Sequence, residues 1–157
     1  KDAVTASLVL TEMAAYYAAR GMTVLDALNA LYEKHGYYGE KTHNLVMPGL
    51  DGLKDMANLM ASLRQTPPKE IAGVTVRQFK DYQDGSVVCC ATGEKSAMEL
   101  SGSNVLRFEL ADGTSIIVRP SGTEPKIKVY VLTKGADAAE RDANLAKYAG
   151  WVAGLKK

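Results

Sequence analysis

The 157-residue chain has little of several things, and each shortage excludes something. It has two cysteines, Cys89 and Cys90, and they are neighbours. Adjacent cysteines in a trans backbone hold their side chains apart, and no CxxC or Cys/His ligand spacing occurs. A disulfide framework and a zinc site are both excluded. In Ser-Val-Val-Cys-Cys-Ala they read as buried strand residues, compatible with a reducing cytoplasm. No apolar run approaches the roughly 18 residues that span a bilayer, and no signal-peptide pattern is present. Neither sign of charge dominates: 19 Lys and Arg against 18 Asp and Glu leave +1. That balance gives no bulk attraction to nucleic acid or to an anionic membrane, so any anion site must be local. Phenylalanine is scarce, Phe79 and Phe108 only, which argues against a nucleic-acid-stacking sheet face.

What is present is concentrated at residues 119–126, Arg-Pro-Ser-Gly-Thr-Glu-Pro-Lys. Arg119 supplies a planar fork of donors that matches phosphate oxygens and keeps its charge. Ser121 and Thr123 add hydroxyls, and Gly122 lets backbone N–H groups approach an anion. Pro120 and Pro125 fix φ, so less entropy is lost when a ligand is held. Such residues also make plain turns. The flanks favour the anion site: Arg119 ends the β-type run Thr114–Val118, and Lys126 and Lys128 open the next, so cations converge where the only nearby carboxylate is Glu124. Lys128 is the weaker candidate, since it also suits a solvated strand face.

Periodicity supplies the surrounding frame. Residues 2–20 read as a helix apolar on most sides, with Ala3, Ala6, Leu10, Met13 and Tyr17 at helical spacing and Gly21 past its end. Thr23 to Asp26 is an N-cap signature for a second helix that Gly36 closes. A short strand from Thr42 to Met47 precedes Pro48-Gly49. A third helix over about 50–64 has Leu53, Met56, Ala57, Met60 and Leu63 as its buried stripe, and Pro67-Pro68 stops it. The pattern then turns β: Val74–Tyr82, Val87–Ala91, Val105–Leu110, an Asp112-Gly113 hairpin, 114–119 and 126–133. An Ala-rich helix over about 136–153 follows, with Leu145, Tyr148, Ala149 and Val152 on its apolar face. Helices segregated against an antiparallel sheet make an α+β domain. His35 and His43 receive no catalytic or metal role, and Asp51 and Asp55 read as solvated.

With these residues in place, a family likeness is apparent. Arg119–Lys126 between two strands resembles the phosphate-binding loop in the last domain of the α-D-phosphohexomutases. The likeness extends to Ser103-Asn104-Val105-Leu106-Arg107-Phe108 before the Asp-Gly turn, Thr66–Ile71, and Lys1-Asp2-Ala3 leading into Glu12–Tyr17. It is nearest to the bacterial phosphoglucomutase/phosphomannomutase branch and weakest over 83–102. The resemblance implies a four-domain enzyme in which three α/β domains precede a final domain of TATA-binding-protein-like fold. A phosphoserine in the first domain, a Mg²⁺ ion held by an Asp-rich loop of the second and a sugar-reading loop of the third would complete the site. Sequences of those three loop types are absent from this chain. The expectation is therefore a C-terminal fragment: residues 1–38 as the helical tail of the third domain and 39–157 as domain four. Arg119, Ser121, Gly122, Thr123 and Lys128 would hold the non-reacting phosphate of a hexose phosphate. No catalytic residue and no metal ligand is expected within the chain. The start at Lys1 without an initiator Met fits that expectation. Its partners would be the substrate and the other three domains, in the cytoplasm, with no nucleic acid or membrane. A phosphopentomutase or phosphoglucosamine mutase fragment, or a stand-alone phosphate-binding module, are the alternatives.

Overall fold

A computed structural model describes residues 2–155. They divide into two compact units, one ending at Tyr37 and one beginning at Tyr38.

The first unit is a pair of helices, α1 (Ala3–Ala18) and α2 (Val24–His35). Asp2 caps α1, its carboxylate accepting from the Thr5 amide at 2.9 Å. Thr23 and Asp26 form a reciprocal capping box on α2, the arrangement expected from their spacing. No residue of α1 is buried, and Val4, Leu8, Val9 and Leu10 are largely exposed. Only Ala27 of α2 is buried.

The second unit is α+β. Its sheet contains β1 (Tyr37–Val46), β2 (Glu70–Ile71), β3 (Val74–Asp81), β4 (Ser86–Cys89), β5 (Lys95–Ala97), β6 (Leu106–Leu110), β7 (Ser115–Pro120) and β8 (Lys126–Gly135), with helices α3 (Gly52–Gln65) and α4 (Ala138–Gly154). The strand order is β1-β8-β7-β6-β3-β4-β5, and β2 pairs with β3. The pairings β8–β7, β7–β6, β6–β3, β3–β4 and β4–β5 are all antiparallel. In β8 the buried residues alternate: Ile127, Val129, Val131 and Thr133 face inward, while Lys126, Lys128 and Tyr130 face the other way. This is the period-two pattern of a sheet covered on one face. The inward residues meet Met60 and Leu63 of α3 and Tyr148 and Val152 of α4 in one core, with Phe79 and Phe108 as direct cross-strand partners. Their ring centroids lie 5.3 Å apart.

Several expectations shift in detail. β1 starts five residues earlier than its sequence pattern suggested, since exposed polar side chains obscure an edge strand's alternation. β2 and β5 were not foreseen because they are two and three residues long. On α3, Leu53 and Ala57 are exposed, and the stripe that packs on the sheet is Met56, Leu59, Met60 and Leu63. The cysteines are also less buried than expected: Cys89 is half-buried at the end of β4 and Cys90 is exposed. The physical reason is position, because β4 and β5 lie at the outer end of the strand order and contain no fully buried residue. Among the described residues no helix is long and apolar enough to cross a membrane.

Candidate functional site

The loop 121–125 joins the end of β7 to the start of β8, and its closure is set by backbone hydrogen bonds. The Ser121 amide donates to the Lys126 carbonyl at 2.8 Å, and the Lys126 amide to the Glu124 carbonyl at 2.7 Å. A third bond ties the loop to another part of the unit: the Met47 amide donates to the Pro125 carbonyl at 2.8 Å. Gly52, which opens α3, packs into the same place. A Cβ there would come within 2.2 Å of the Met47 carbonyl oxygen and 3.2 Å of the Pro125 side chain. The start of α3 can approach the loop this closely only without a side chain.

Arg119 is exposed, one register step before the loop, and is paired across the ladder with Lys128. Directly opposed residues of an antiparallel pair share a face, so the two cations stand together. No carboxylate partner of Arg119 is found among the described residues. Glu124 is committed elsewhere: it holds Lys126 at 2.5 Å, and the Lys126 hydrogen bond and charge keep its carboxyl below the usual range. Gly122 faces open space, with nothing of the protein within 4 Å of a built Cβ. The Thr123 amide points back to the Ser121 hydroxyl at 3.4 Å.

A cavity of about 610 Å³ opens beside the loop. Arg119, Pro120, Ser121 and Gly122 form one wall, Met56, Ala57 and Met60 of α3 another, and Ser103, Asn104 and Val105 the third. Of the five residues singled out in the sequence, Arg119, Ser121 and Gly122 therefore share a concavity. Thr123 is exposed on the loop and Lys128 half-buried on β8; neither lines the cavity. The α3 residues and the Ser103-Asn104 pair were not assigned to a site by the sequence. Their only signal was the Ser-Asn-Val-Leu string before a strand, which says nothing of what it faces.

Asn104 is held in a small network. Asp81, 3% exposed, accepts from Arg64 Nε at 2.5 Å and from the Gln83 amide at 2.9 Å. Arg64 Nη2 continues to Asn104 Oδ1 at 2.8 Å. A buried carboxylate requires such partners.

His35 closes α2, and His43 is half-buried on β1, where burial and then the Lys41 charge lower its pKa. Among the described residues no three His, Cys, Asp or Glu side chains converge as a metal site. The loop itself offers cations and hydroxyls, a donor set for an anion and not for Mg²⁺.

Comparison with known proteins now decides the lineage. The family model "Phosphoglucomutase/phosphomannomutase, C-terminal domain" matches residues 59–144. The chain belongs to the phosphoglucomutase/phosphomannomutase family. A phosphoglucomutase of Staphylococcus aureus is 36% identical over 137 residues, covering 87% of this chain and 25% of that protein. A "Probable phosphomannomutase" of Haemophilus influenzae is 32% identical over 148 residues, covering 94% of this chain and 27% of that protein. The chain thus spans about a quarter of the length of these relatives. An open-form crystal structure of pp63/parafusin from Paramecium covers 85% of this chain and 22% of its own at 15% identity, with a TM-score of 0.45. The matched segment contains β2 to β8, the loop and the second half of α3, so the loop at 121–125 lies inside the match to the family's C-terminal domain.

Proposed function

We propose that this chain is the phosphate-gripping final part of an enzyme that interconverts hexose 1-phosphate and hexose 6-phosphate through a bisphosphate intermediate. Arg119, Ser121, Gly122 and Thr123, with Lys128 beside them, hold the phosphate that is not being transferred. The observation that carries this reading is an exposed arginine without a carboxylate partner, opposite a lysine, at the mouth of a closed Ser-Gly-Thr loop and on the wall of a cavity.

The chemistry explains why one loop of this kind is needed. Phosphoryl transfer is mostly positioning and charge stabilisation. The phosphate at the sugar's far end is a handle that fixes where the acceptor hydroxyl sits. After the first transfer the intermediate reorients and its other phosphate takes the handle position. The grip must orient either phosphate and still release it, which suits one guanidinium, hydroxyls and amides better than a dense lysine cluster.

Residues 1–38 are, in this reading, the tail of the preceding α/β domain, and the apolar surface of α1 is covered there. The phosphoserine that donates the phosphoryl group, the Mg²⁺ that supplies charge stabilisation and the sugar-reading loop belong to other parts of a longer cytoplasmic protein. The isolated chain then binds sugar phosphate weakly and converts none. Phosphorus NMR of the 157-residue chain with glucose 1-phosphate tests this. Broadening or shifting of the phosphate resonance without a glucose 6-phosphate signal is expected, and it disappears in Arg119→Ala. Clear conversion by the isolated chain, or an unchanged titration in the variant, refutes the reading.

A further inference from the structure

We infer that Asn104 is an additional ligand-binding residue, its side-chain amide donating to an oxygen of the phosphorylated sugar seated on the loop. This rests on the phosphate-gripping role proposed for Arg119 and extends the site to the segment that leads into β6.

The argument starts from what Arg64 can accept, which is nothing. A guanidinium has only donors. The Asn104 atom facing Arg64 Nη2 at 2.8 Å must therefore be the carbonyl oxygen. The amide orientation is thus set by chemistry, and the two Nδ2 hydrogens are directed away from Arg64. No protein partner for them occurs among the described residues. Asn104 is exposed and lines the cavity that Arg119, Ser121 and Gly122 also line.

The orientation is held rigidly from behind. Arg64 is fixed by the 3%-exposed Asp81, and Asp81 by the Gln83 amide. The backbone around Asn104 is pinned as well: the Ser103 amide donates to the Tyr82 carbonyl at 3.0 Å, and the Tyr82 amide to the Val105 carbonyl at 3.0 Å. Arg64, itself half-buried, spans from the buried Asp81 carboxylate to the exposed Asn104 carbonyl and so fixes where that amide points. A preorganised donor loses little entropy on binding.

Two substitutions separate a donor from an anchor. Asn104→Ala removes both the donor and the acceptor for Arg64. Asn104→Asp keeps an acceptor for Arg64 and removes the donor. In the intact protein, glucose 6-phosphate affinity measured by calorimetry should fall roughly tenfold or more in both variants, the loss expected for one hydrogen bond to a polar or charged ligand group. Thermal stability should fall in Asn104→Ala and be retained in Asn104→Asp. If Asn104→Asp restores the affinity lost in Asn104→Ala, the residue is only an anchor for Arg64 and the inference fails. It also fails if only Asn104→Asp weakens binding, which would be charge repulsion at a distance, or if neither variant does. Arg119→Ala measured alongside keeps the two claims apart. Loss there with normal Asn104 variants sinks this inference alone, whereas unchanged affinity in Arg119→Ala sinks the phosphate grip itself.

Discussion

Arg119 on β7 and Lys128 on β8 are direct cross-strand partners. Like charges placed opposite each other on one face of an antiparallel pair repel. Lys126, two residues before Lys128 on the same face, is neutralised by Glu124 at 2.5 Å, while Arg119 has no such partner among the described residues. The uncompensated positive charge is therefore placed at the strand end nearest the loop, where a doubly charged phosphate would relieve the repulsion.

Unequal effects of the two cations follow. In the intact protein, Arg119→Ala should raise KM and depress kcat, a loss of about 2–4 kcal/mol in transition-state binding. Lys128→Ala should cost less, because it lies outside the cavity lining, and its effect should shrink at high salt. Steady-state kinetics at two ionic strengths would check both. A larger loss in Lys128→Ala than in Arg119→Ala contradicts the arrangement described.

Two glycines should respond in opposite ways. Gly122→Ala meets nothing of the protein, so the melting temperature should hold while phosphate affinity drops, the methyl occupying the anion's approach. Gly52→Ala puts a carbon against the Met47 carbonyl and should destabilise the unit by about 1–3 kcal/mol. It should also weaken binding, since Met47 is tied to Pro125 of the loop. Denaturant melts with a parallel phosphate titration would decide; equal stability of the two variants argues against the packing account.

Acid should loosen the unit through two partly buried carboxylates. Burial alone would raise Asp112, but hydrogen bonds from Tyr148 and Thr114 outweigh it and hold its pKa below 3.8. Burial likewise opposes Glu109, and the Ser115 hydrogen bond with the Arg107 and Lys80 charges brings its pKa below 4.5. A pKa depressed on folding gives stability that is present above the unfolded value and lost as pH falls through the folded one. The loss should therefore begin near pH 4.5 and deepen below 3.8. Glu109→Gln should be less stable at pH 7 and show a flatter acid limb in urea melts. Tyr148→Phe should cost about 1–2 kcal/mol at pH 7, because the buried phenol's partner Asp112 would be left short of a donor. An acid limb unchanged by Glu109→Gln would exclude that group as a source.

The β2–β3 hairpin turns through Ala72 at φ 50° and Gly73 at φ 76°. Alanine in the left-handed region carries a steric cost that glycine does not. Ala72→Gly should stabilise the unit by about 0.5–1 kcal/mol after the glycine's extra unfolded-state entropy is counted. A loss of stability on chemical denaturation would show that the Ala72 methyl's contacts with the core outweigh the strain.

The sequence by itself determined what is local. The start of α2 was legible because capping depends on side chains three residues apart, here Thr23 and Asp26. Strands β3, β6, β7 and β8 were legible because one covered face imposes alternation, and the hairpin at Asp112-Gly113 because few residues tolerate its backbone. The loop at 119–125 was legible as chemistry, since donors, hydroxyls and rigid prolines sit in one short string. Only the tertiary structure decided what stands around that loop. Met56, Met60 and Asn104 lie far from Arg119 in the chain, and it is the packing of α3 on the sheet and the register of β6 against β7 that bring them to one cavity. The fate of Cys89 and Cys90 was decided in the same way, by a strand's place at the end of the sheet order. Local propensity cannot encode that place, because burial is a property of neighbours that only the completed fold supplies.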